Sequence, residues 1–422
     1  DTSSYEFNTA FKRPTSEGDM TISLDFRDSI PPGSATQAFF TRHSGPIKTR
    51  TVYFRKAWKN LAPSGDTVLA QSNVTVAPAL TTLNDKPYVA YLKSATSVQA
   101  AYYSGSWKNL GGAVSTSANI AKIQLASNDN NVYLAIMTVD KKLSIYSSSG
   151  TSGWSMIGSA LSADTTSFHL LAKSSGPFVL YLNASNKKPS YASYSSSWNS
   201  TTISEMGCRN ITGAFTSNGS WVVAYVDTSK TYSGYYALYD NGNNRKARDL
   251  SIADSINKVN LTIDKSNNTV YVAFLSRKVE KYGPYVYRGT INSNDVSWKR
   301  DGVFGNPIVN RFAYRIQVTA KNGKTFVTFD DADRHSAAQS HVYQLASSSW
   351  KLYGENELPY FKIEFFNQNG YYLRGSHPNI TVNEHDDVFI SMLAWENGSG
   401  GGNNFGPIVM KYVAKNWDVN DK

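Results

Sequence analysis

Residues 107–154 read WKNLGGAVSTSANIAKIQLASNDNNVYLAIMTVDKKLSIYSSSGTSGW, and the way this stretch divides decides the fold. Residues 119–126 (NIAKIQLA) alternate apolar and polar. A small polar turn, SNDNN, leads to 132–138 (VYLAIMT), and a short link leads to 142–146. A Ser/Gly turn then returns the chain to Trp154. Two-residue alternation broken by tight polar turns is the pattern of antiparallel strands. The stretch holds four of them, here called A to D.

The same unit recurs outward in both directions. A Trp, or a residue in its place, stands at Trp58, Trp107, Trp154, Trp198, Arg245, Trp298, Trp350 and Trp417, in steps of about 51 residues. An apolar residue and a Gly often follow, as in WKNLG at 107 and WSMIG at 154. The B strand is the clearest marker: PYVAY from 87, PFVLYL from 177, WVVAYVD from 221, VYVAFL from 270, FVTFD from 326 and VFISML from 388. A further copy is expected at Met20–Asp25, where EGDMTISLD matches KNGKTFVTFD. Four-stranded repeats of this period predict an all-β fold, a single β-propeller spanning 1–422. Length over period predicts about eight four-stranded antiparallel blades, or seven if residues 1–58 are a ring-closing N-terminal extension rather than an additional blade. The repeated Trp reads as a ring packed against the neighbouring blade. One sugar platform per blade would need a matched polar pair beside each Trp, and no such pair repeats.

Composition narrows the class. The chain has 422 residues, 41% apolar, 13% aromatic and only 18% charged, with 27 Tyr. This excludes a disordered chain or a coiled coil. No apolar run approaches the ~20 residues of a membrane helix. The single Cys208 leaves no intramolecular disulfide framework. The net charge of +10 is spread singly along the strands, which favours anionic partners without marking a nucleic-acid tail. Nine N-x-[ST] sequons are near the number chance would give.

The repeat pattern resembles secreted propellers built from degenerate Tyr/Trp repeats, extracellular proteins of lectin-like or polysaccharide-processing type. The Asp-box of sialidases, the WD dipeptide and the paired kelch glycines are absent. With a first residue that is not Met and no apolar leader, the resemblance implies a secreted or cell-surface protein.

Loop lengths point to the working surface. The A–B turns are uniformly tight. The long segments, 27–50, 276–284, 301–312, 331–340, 352–375 and 394–406, are B–C or D–A connections and are expected on one face. Five of six His fall in them or beside them: His43, His335, His341, His377 and His385. His385 lies in an A–B turn, on the opposite side, and His341 opens a C strand. Three chemistries compete for the sector. A lyase on an acidic polysaccharide would use His43, His335, His377, Tyr371 or Tyr372 for proton transfer and Arg374 to neutralise a uronate. Ligand contacts are expected from Arg42, Arg334, Tyr360 and Trp395. A glycosidase would draw paired carboxylates from DDADRH at 330–335. A Ca2+ turn could form at Asp330, Asp331 and Asp333, or at NEHDD, 383–387, although neither follows an EF-hand or zinc spacing. Otherwise no cofactor is expected. No phosphate loop, dinucleotide fingerprint or hydrolase elbow occurs, and Cys208 opens an A strand with no partner to activate it. The leading expectation is a propeller that binds a glycan, an acidic polysaccharide or an extracellular protein surface without catalysis. The lyase is the alternative.

Overall fold

The computed structural model describes residues 20–23, 39–42, 57–61, 69, 76–161, 164–228, 235–240, 245–249, 256–276, 283–293, 295–299, 307–309, 313–331, 339–347, 349–353, 365–366, 372–396 and 404–413. The chain divides into two compact units, Asp1–Ala57 with Val413–Lys422, and Trp58–Tyr412. In the first, Met20–Ser23 pairs antiparallel with Phe39–Arg42.

The second unit is a β-propeller of consecutive antiparallel sheets. Blade 1 comprises Ala79–Leu83, Lys86–Ser94, Ser97–Tyr103 and Trp107–Asn109, with Val114–Ser115 beside its third strand. Blade 2 is Ile120–Ser127, Val132–Thr138, Leu143–Ser148 and Ser155–Met156. Blade 3 is Thr165–Lys173, Gly176–Asn183, Pro189–Tyr194 and Trp198–Thr202. Blade 4 is Cys208–Phe215, Trp221–Asp227, Tyr235–Asp240 and Arg245–Asp249. Blade 5 is Ile256–Asp264, Thr269–Ser276, Gly283–Ile291 and Val296–Lys299. Blade 6 is Ala313–Lys321, Lys324–Asp331, Gln339–Ala346 and Ser349–Leu352. A closing sheet takes Tyr372–Val382, Val388–Glu396 and Asn404–Val413 as its A, B and C strands, with Phe365–Phe366 on its A edge. Its outermost strand is Ala57–Asn60, from the other end of the chain. The A strands touch in order from blade 1 to blade 6 and on to the closing sheet, whose A strand meets that of blade 1.

The expected count of eight blades, or of seven with residues 1–58 as a ring-closing N-terminal extension, is corrected to six. Six blades are built from consecutive strands, and the sheet that completes the circuit is shared between the two ends of the chain. Dividing length by period counted the N-terminal residues as a repeat. Among the described residues they instead give one two-stranded ladder and the strand Ala57–Asn60. Leu61 N–H donates to Val409 O at 2.9 Å and Leu69 N–H to Pro407 O at 2.8 Å, extending that shared edge. Covering an edge this way removes a site for unwanted strand pairing.

Burial explains the strand patterns. The B strands Val132–Thr138 and Trp221–Asp227 are buried throughout, because a sheet lies on either side of them. Their sequences are therefore continuous apolar runs rather than alternating ones. The A strand Ala313–Lys321 alternates, and the D strand Trp198–Thr202 is mostly exposed.

The repeated Trp joins blades. Trp107 Nε1–H donates to Leu61 O at 2.6 Å and Trp198 Nε1–H to Ile157 O at 3.1 Å, each acceptor lying three residues after the preceding Trp of the repeat. The Gly that follows serves the same contact. Gly111 and Gly158 have φ of 66° and 62°, and a Cβ would meet Gly153 Cα at 2.5 Å and Tyr194 Cε2 at 2.8 Å. By contrast the Trp154 Nε1 is buried without a hydrogen-bond partner. Trp198→Phe should therefore cost about 1 kcal/mol more than Trp154→Phe in urea denaturation, the difference being one hydrogen bond. Equal losses would show that ring packing alone makes the joint.

Candidate ligand-binding site

In blades 1 to 6 each A strand is the free edge of its sheet, so its backbone donors need partners. In blades 2, 4, 5 and 6 one side chain supplies a partner for the next A strand. Gln124 Oε1 accepts from Leu170 N–H at 2.7 Å, Thr212 Oγ1 from Leu261 N–H at 3.3 Å, Asn260 Oδ1 from Val318 N–H at 2.9 Å, and Gln317 Oε1 from Ile380 N–H at 3.3 Å. These bonds tie blade 2 to blade 3, blade 4 to blade 5, blade 5 to blade 6, and blade 6 to the closing sheet.

The register of every A strand from blade 2 to the closing sheet is broken near its start. The extra residues fall between Ile120 and Lys122, Thr165 and Ser167, Arg209 and Ile211, Ile256 and Lys258, Ala313 and Ile316, and Ser376 and Asn379. A bulge bends a strand and re-aims its side chains. Here it lies where the start of A faces the end of B, beside the B–C and D–A connections. Basic groups gather at it. Lys122 and Lys258 are the first paired residues after the break, Arg209 the last before it, Arg315 lies within it, and so does His377, at φ 59°.

Lys122 is half-buried. Its Nζ donates to Phe168 O at 2.8 Å and lies 4.6 Å from the Phe168 ring centre. Burial, then the charge of Lys258, lowers its pKa to about 8. One step further along the axis, His169 is lowered to about 4 by burial and by Lys122, while a backbone hydrogen bond with Gly213 acts the other way. Arg209 Nη2–H donates to Ile256 O at 2.6 Å.

A second cluster joins blade 6 to the closing sheet. Asp330 is fully buried. Its Oδ1 accepts from Ser340 Oγ–H at 2.8 Å, and its Oδ2 accepts from Arg315 Nη1–H at 2.8 Å and from the backbone N–H of His377 at 3.1 Å. Burial raises the Asp330 pKa against the pull of Arg315 and these hydrogen bonds. Burial and Arg315 lower the His377 imidazole to about 4.

Of the residues singled out from sequence, the structure brings Asp330 and His377 together. Tyr372, Arg374 and Trp395 lie on the closing sheet with Arg374 opposite Trp395, Asp331 ends the B strand of blade 6, and Arg42 pairs with Met20 in the N-terminal ladder. His43, His335, Tyr371, Arg334, Tyr360 and Asp333 lie outside the described residues, as do the central parts of the long loops. His341 is buried, and its carbonyl accepts from Thr328 Oγ–H at 2.8 Å. Residues 383–387 act as a clasp between turns on the opposite face. Asp386 takes Lys324 at 2.7 Å and Asn322 at 3.0 Å, while Asn383 Nδ2–H donates to Asp85 O at 3.1 Å and His385 Nδ1 lies 3.1 Å from Asp85 Oδ1. Among the described residues no group of three or more His, Cys, Asp or Glu is placed to hold a metal. Cys208 opens the A strand of blade 4, and burial followed by Asp227 pushes its thiol up to about 12, leaving it unreactive. Lys122, Arg209, Lys258 and Arg315 were not foreseen. Their shared signal, a cation at the start of an A strand, is visible in sequence only once the bulges are known.

No protein-family model matches the chain, and no curated protein matches it. Among solved structures it is similar to the SapL1 lectin in complex with alpha methyl fucoside, at 12% identity and a TM-score of 0.45, covering 68% of this chain and 99% of that one. It is also similar to the BP39L lectin from Burkholderia pseudomallei, at 13% identity and a TM-score of 0.48, covering 80% and 99%. A third is the polysaccharide lyase Uly1, at 9% identity and a TM-score of 0.49, covering 81% and 90%.

Proposed function

We propose that this propeller is an extracellular carbohydrate-binding protein that engages acidic glycans through the face bearing its B–C and D–A loops, without catalysis. The observation that carries the reading is the gathering of Lys122, Arg209, Lys258 and Arg315 at the A-strand bulges beside that face. A positive field concentrated at one end of a rigid ring favours anionic polymers and speeds their capture. The polar groups of the Asp330 cluster are engaged with one another, which suits a joint between sheets better than a reacting centre.

One observation favours the lyase as a second reading. The His377 imidazole, at about 4, is unprotonated at neutral pH and stands within the influence of the Arg315 guanidinium. A base beside a cation that can hold a uronate is the pairing such a reaction uses. Incubation with a panel of acidic polysaccharides, followed by ultraviolet absorbance of new unsaturated uronates, separates the two. Retention on an acidic-glycan array with no rise in absorbance is the expected result. A rise that is lost in His377→Ala would establish the lyase instead, and no retention on any glycan would end the binding reading.

A further inference from the structure

The bulge in the A strand of blade 6 differs from the others in what it carries. Ala313 pairs with Asp331 and Ile316 with Phe329, so Tyr314 and Arg315 together stand opposite Asp330. Two residues against one break the alternation that sends neighbouring side chains to opposite faces of a sheet. Tyr314 is 43% exposed, and the Arg315 side chain is 41% exposed. In blades 2 to 5 the same place holds Ala121, Thr166, Asn210 and Asn257, none of them aromatic. An exposed ring is unusual in this chain. Among the described residues the exposed large apolar side chains are Val139, Met156 and Tyr314.

Arg315 is held by one nitrogen. Its Nη1–H donates to Asp330 Oδ2 at 2.8 Å, and no acceptor among the described residues meets its Nε–H or Nη2–H. Arg and a carboxylate commonly meet through two parallel bonds. Here they share one, because Asp330 Oδ1 is taken by Ser340 and Oδ2 is shared with the His377 N–H. The buried carboxylate is thus satisfied by three donors, and Arg315 is not spent on it. One end of the guanidinium is fixed on a fully buried acceptor, while the rest of its fork stands at a half-exposed position. A binding group fixed from behind loses little freedom when a ligand arrives.

We propose that the blade 6 bulge is a uronate subsite, in which the open edge of Arg315 takes the sugar carboxylate through two hydrogen bonds and the Tyr314 ring takes a face of the pyranose. The subsite rests on the glycan-binding reading for the polymer that carries the sugar, and it names the group recognised. A planar fork matches a planar carboxylate, which a lysine ammonium does not. An aromatic ring adds apolar contact with the C–H face of the sugar, so acid and ring are read together. No other described bulge sets an aromatic ring beside a guanidinium, so the subsite occurs once in the ring.

The test is a saturation-transfer NMR titration of the full chain at low ionic strength, with sodium glucuronate, sodium acetate and methyl glucoside as probes. Circular dichroism confirms that each variant is folded. Glucuronate should bind more tightly than either acetate or methyl glucoside, and should weaken as salt rises. Arg315→Lys keeps the charge and a bond to Asp330 but has no second edge, so glucuronate affinity should fall roughly tenfold while methyl glucoside is unaffected. Tyr314→Ala, which leaves the Asp330 cluster intact, should weaken glucuronate about fivefold without changing acetate, and Tyr314→Phe should bind as the unsubstituted chain does. Absence of glucuronate binding, equal affinity for acetate and glucuronate, or unchanged affinity in folded Arg315→Lys or Tyr314→Ala would overturn the subsite. Acidic glycans retained on an array equally by both folded variants would overturn it too and leave the glycan reading standing. Glucuronate binding that depends on Arg315 and Tyr314, with no glycan retained by the unsubstituted chain, would uphold the subsite and remove the polymer.

Discussion

Lys122→Met should make the protein more stable at pH 7 and should lose that advantage at high pH. The ammonium is lowered from 10.5 to about 8, first by burial and second by Lys258, with His169 the other titratable group beside it. The folded state therefore holds this proton less tightly than the unfolded chain. Below about pH 8 both states carry the charge and the fold bears the whole penalty. As pH rises from 8 to 10.5 the folded state releases the proton first and the penalty fades; above that both are neutral. Holding the ammonium at about 8 rather than 10.5 corresponds to ~3 kcal/mol, an upper figure because the side chain is only half-buried. Methionine is of similar length but forfeits the bond to Phe168 O, about 1 kcal/mol. The net gain is then on the order of 2 kcal/mol, a rise of a few degrees in Tm by scanning calorimetry at pH 7. The gain should vanish by pH 10.5. A lower Tm at pH 7, or an equal gain at both pH values, would show that the amine is not strained by its surroundings.

Much of the ring was legible because its signals are local. The all-buried B strands read as apolar runs, the tight A–B turns as small polar clusters, and the WxxLG and WxxIG motifs as a Trp with its partner. Arg245 in the Trp place does begin the D strand of blade 4. Three things were not legible. The blade count depends on pairing between residues about 350 apart, Ala57–Asn60 with Asn404–Val413, and no local pattern encodes it. The Met20–Ser23 copy has the alternation of a B strand, but alternation does not specify a partner, and it pairs with Phe39–Arg42. Lys122, Arg209, Lys258 and Arg315 are each about 50 to 90 positions from the next and share only their place at a bulge. Lys122 in NIAKIQLA looks like the polar half of an ordinary alternating strand. His377, a proton-transfer candidate in the sequence, and Asp330, a carboxylate or Ca2+ candidate, are 47 positions apart and meet through a backbone hydrogen bond that no local pattern announces. DDADRH begins with one Asp that is buried and fully engaged, which a run of acids in sequence conceals.

Asp330 carries the second large effect, and the contrast between two substitutions tests its role. Asp330→Ala removes the acceptor for Ser340, for the Arg315 guanidinium and for the His377 N–H in one step. Arg315 is 41% exposed and can turn partly to water, but Ser340 is buried, and His377 sits at a positive φ that this hydrogen bond helps to hold. Breaking a buried pair from one side typically costs 3–5 kcal/mol, because the remaining partners stay desolvated. Asp330→Asn keeps the shape and one acceptor oxygen while removing a charge that burial already disfavours, as the raised pKa of Asp330 shows. Its cost should be about 1 kcal/mol, the loss of one charge-assisted bond offset by cheaper burial. Urea denaturation followed by tryptophan fluorescence should therefore rank the chain as unsubstituted, then Asn, then Ala, with the larger gap before Ala. If the alanine variant loses less than 1 kcal/mol, blade 6 and the closing sheet are held by packing alone. If asparagine costs as much as alanine, the charge itself secures the joint, and the Arg315 pair outweighs the burial that opposes it. The expected order makes Asp330 a shape-and-acceptor post between two sheets.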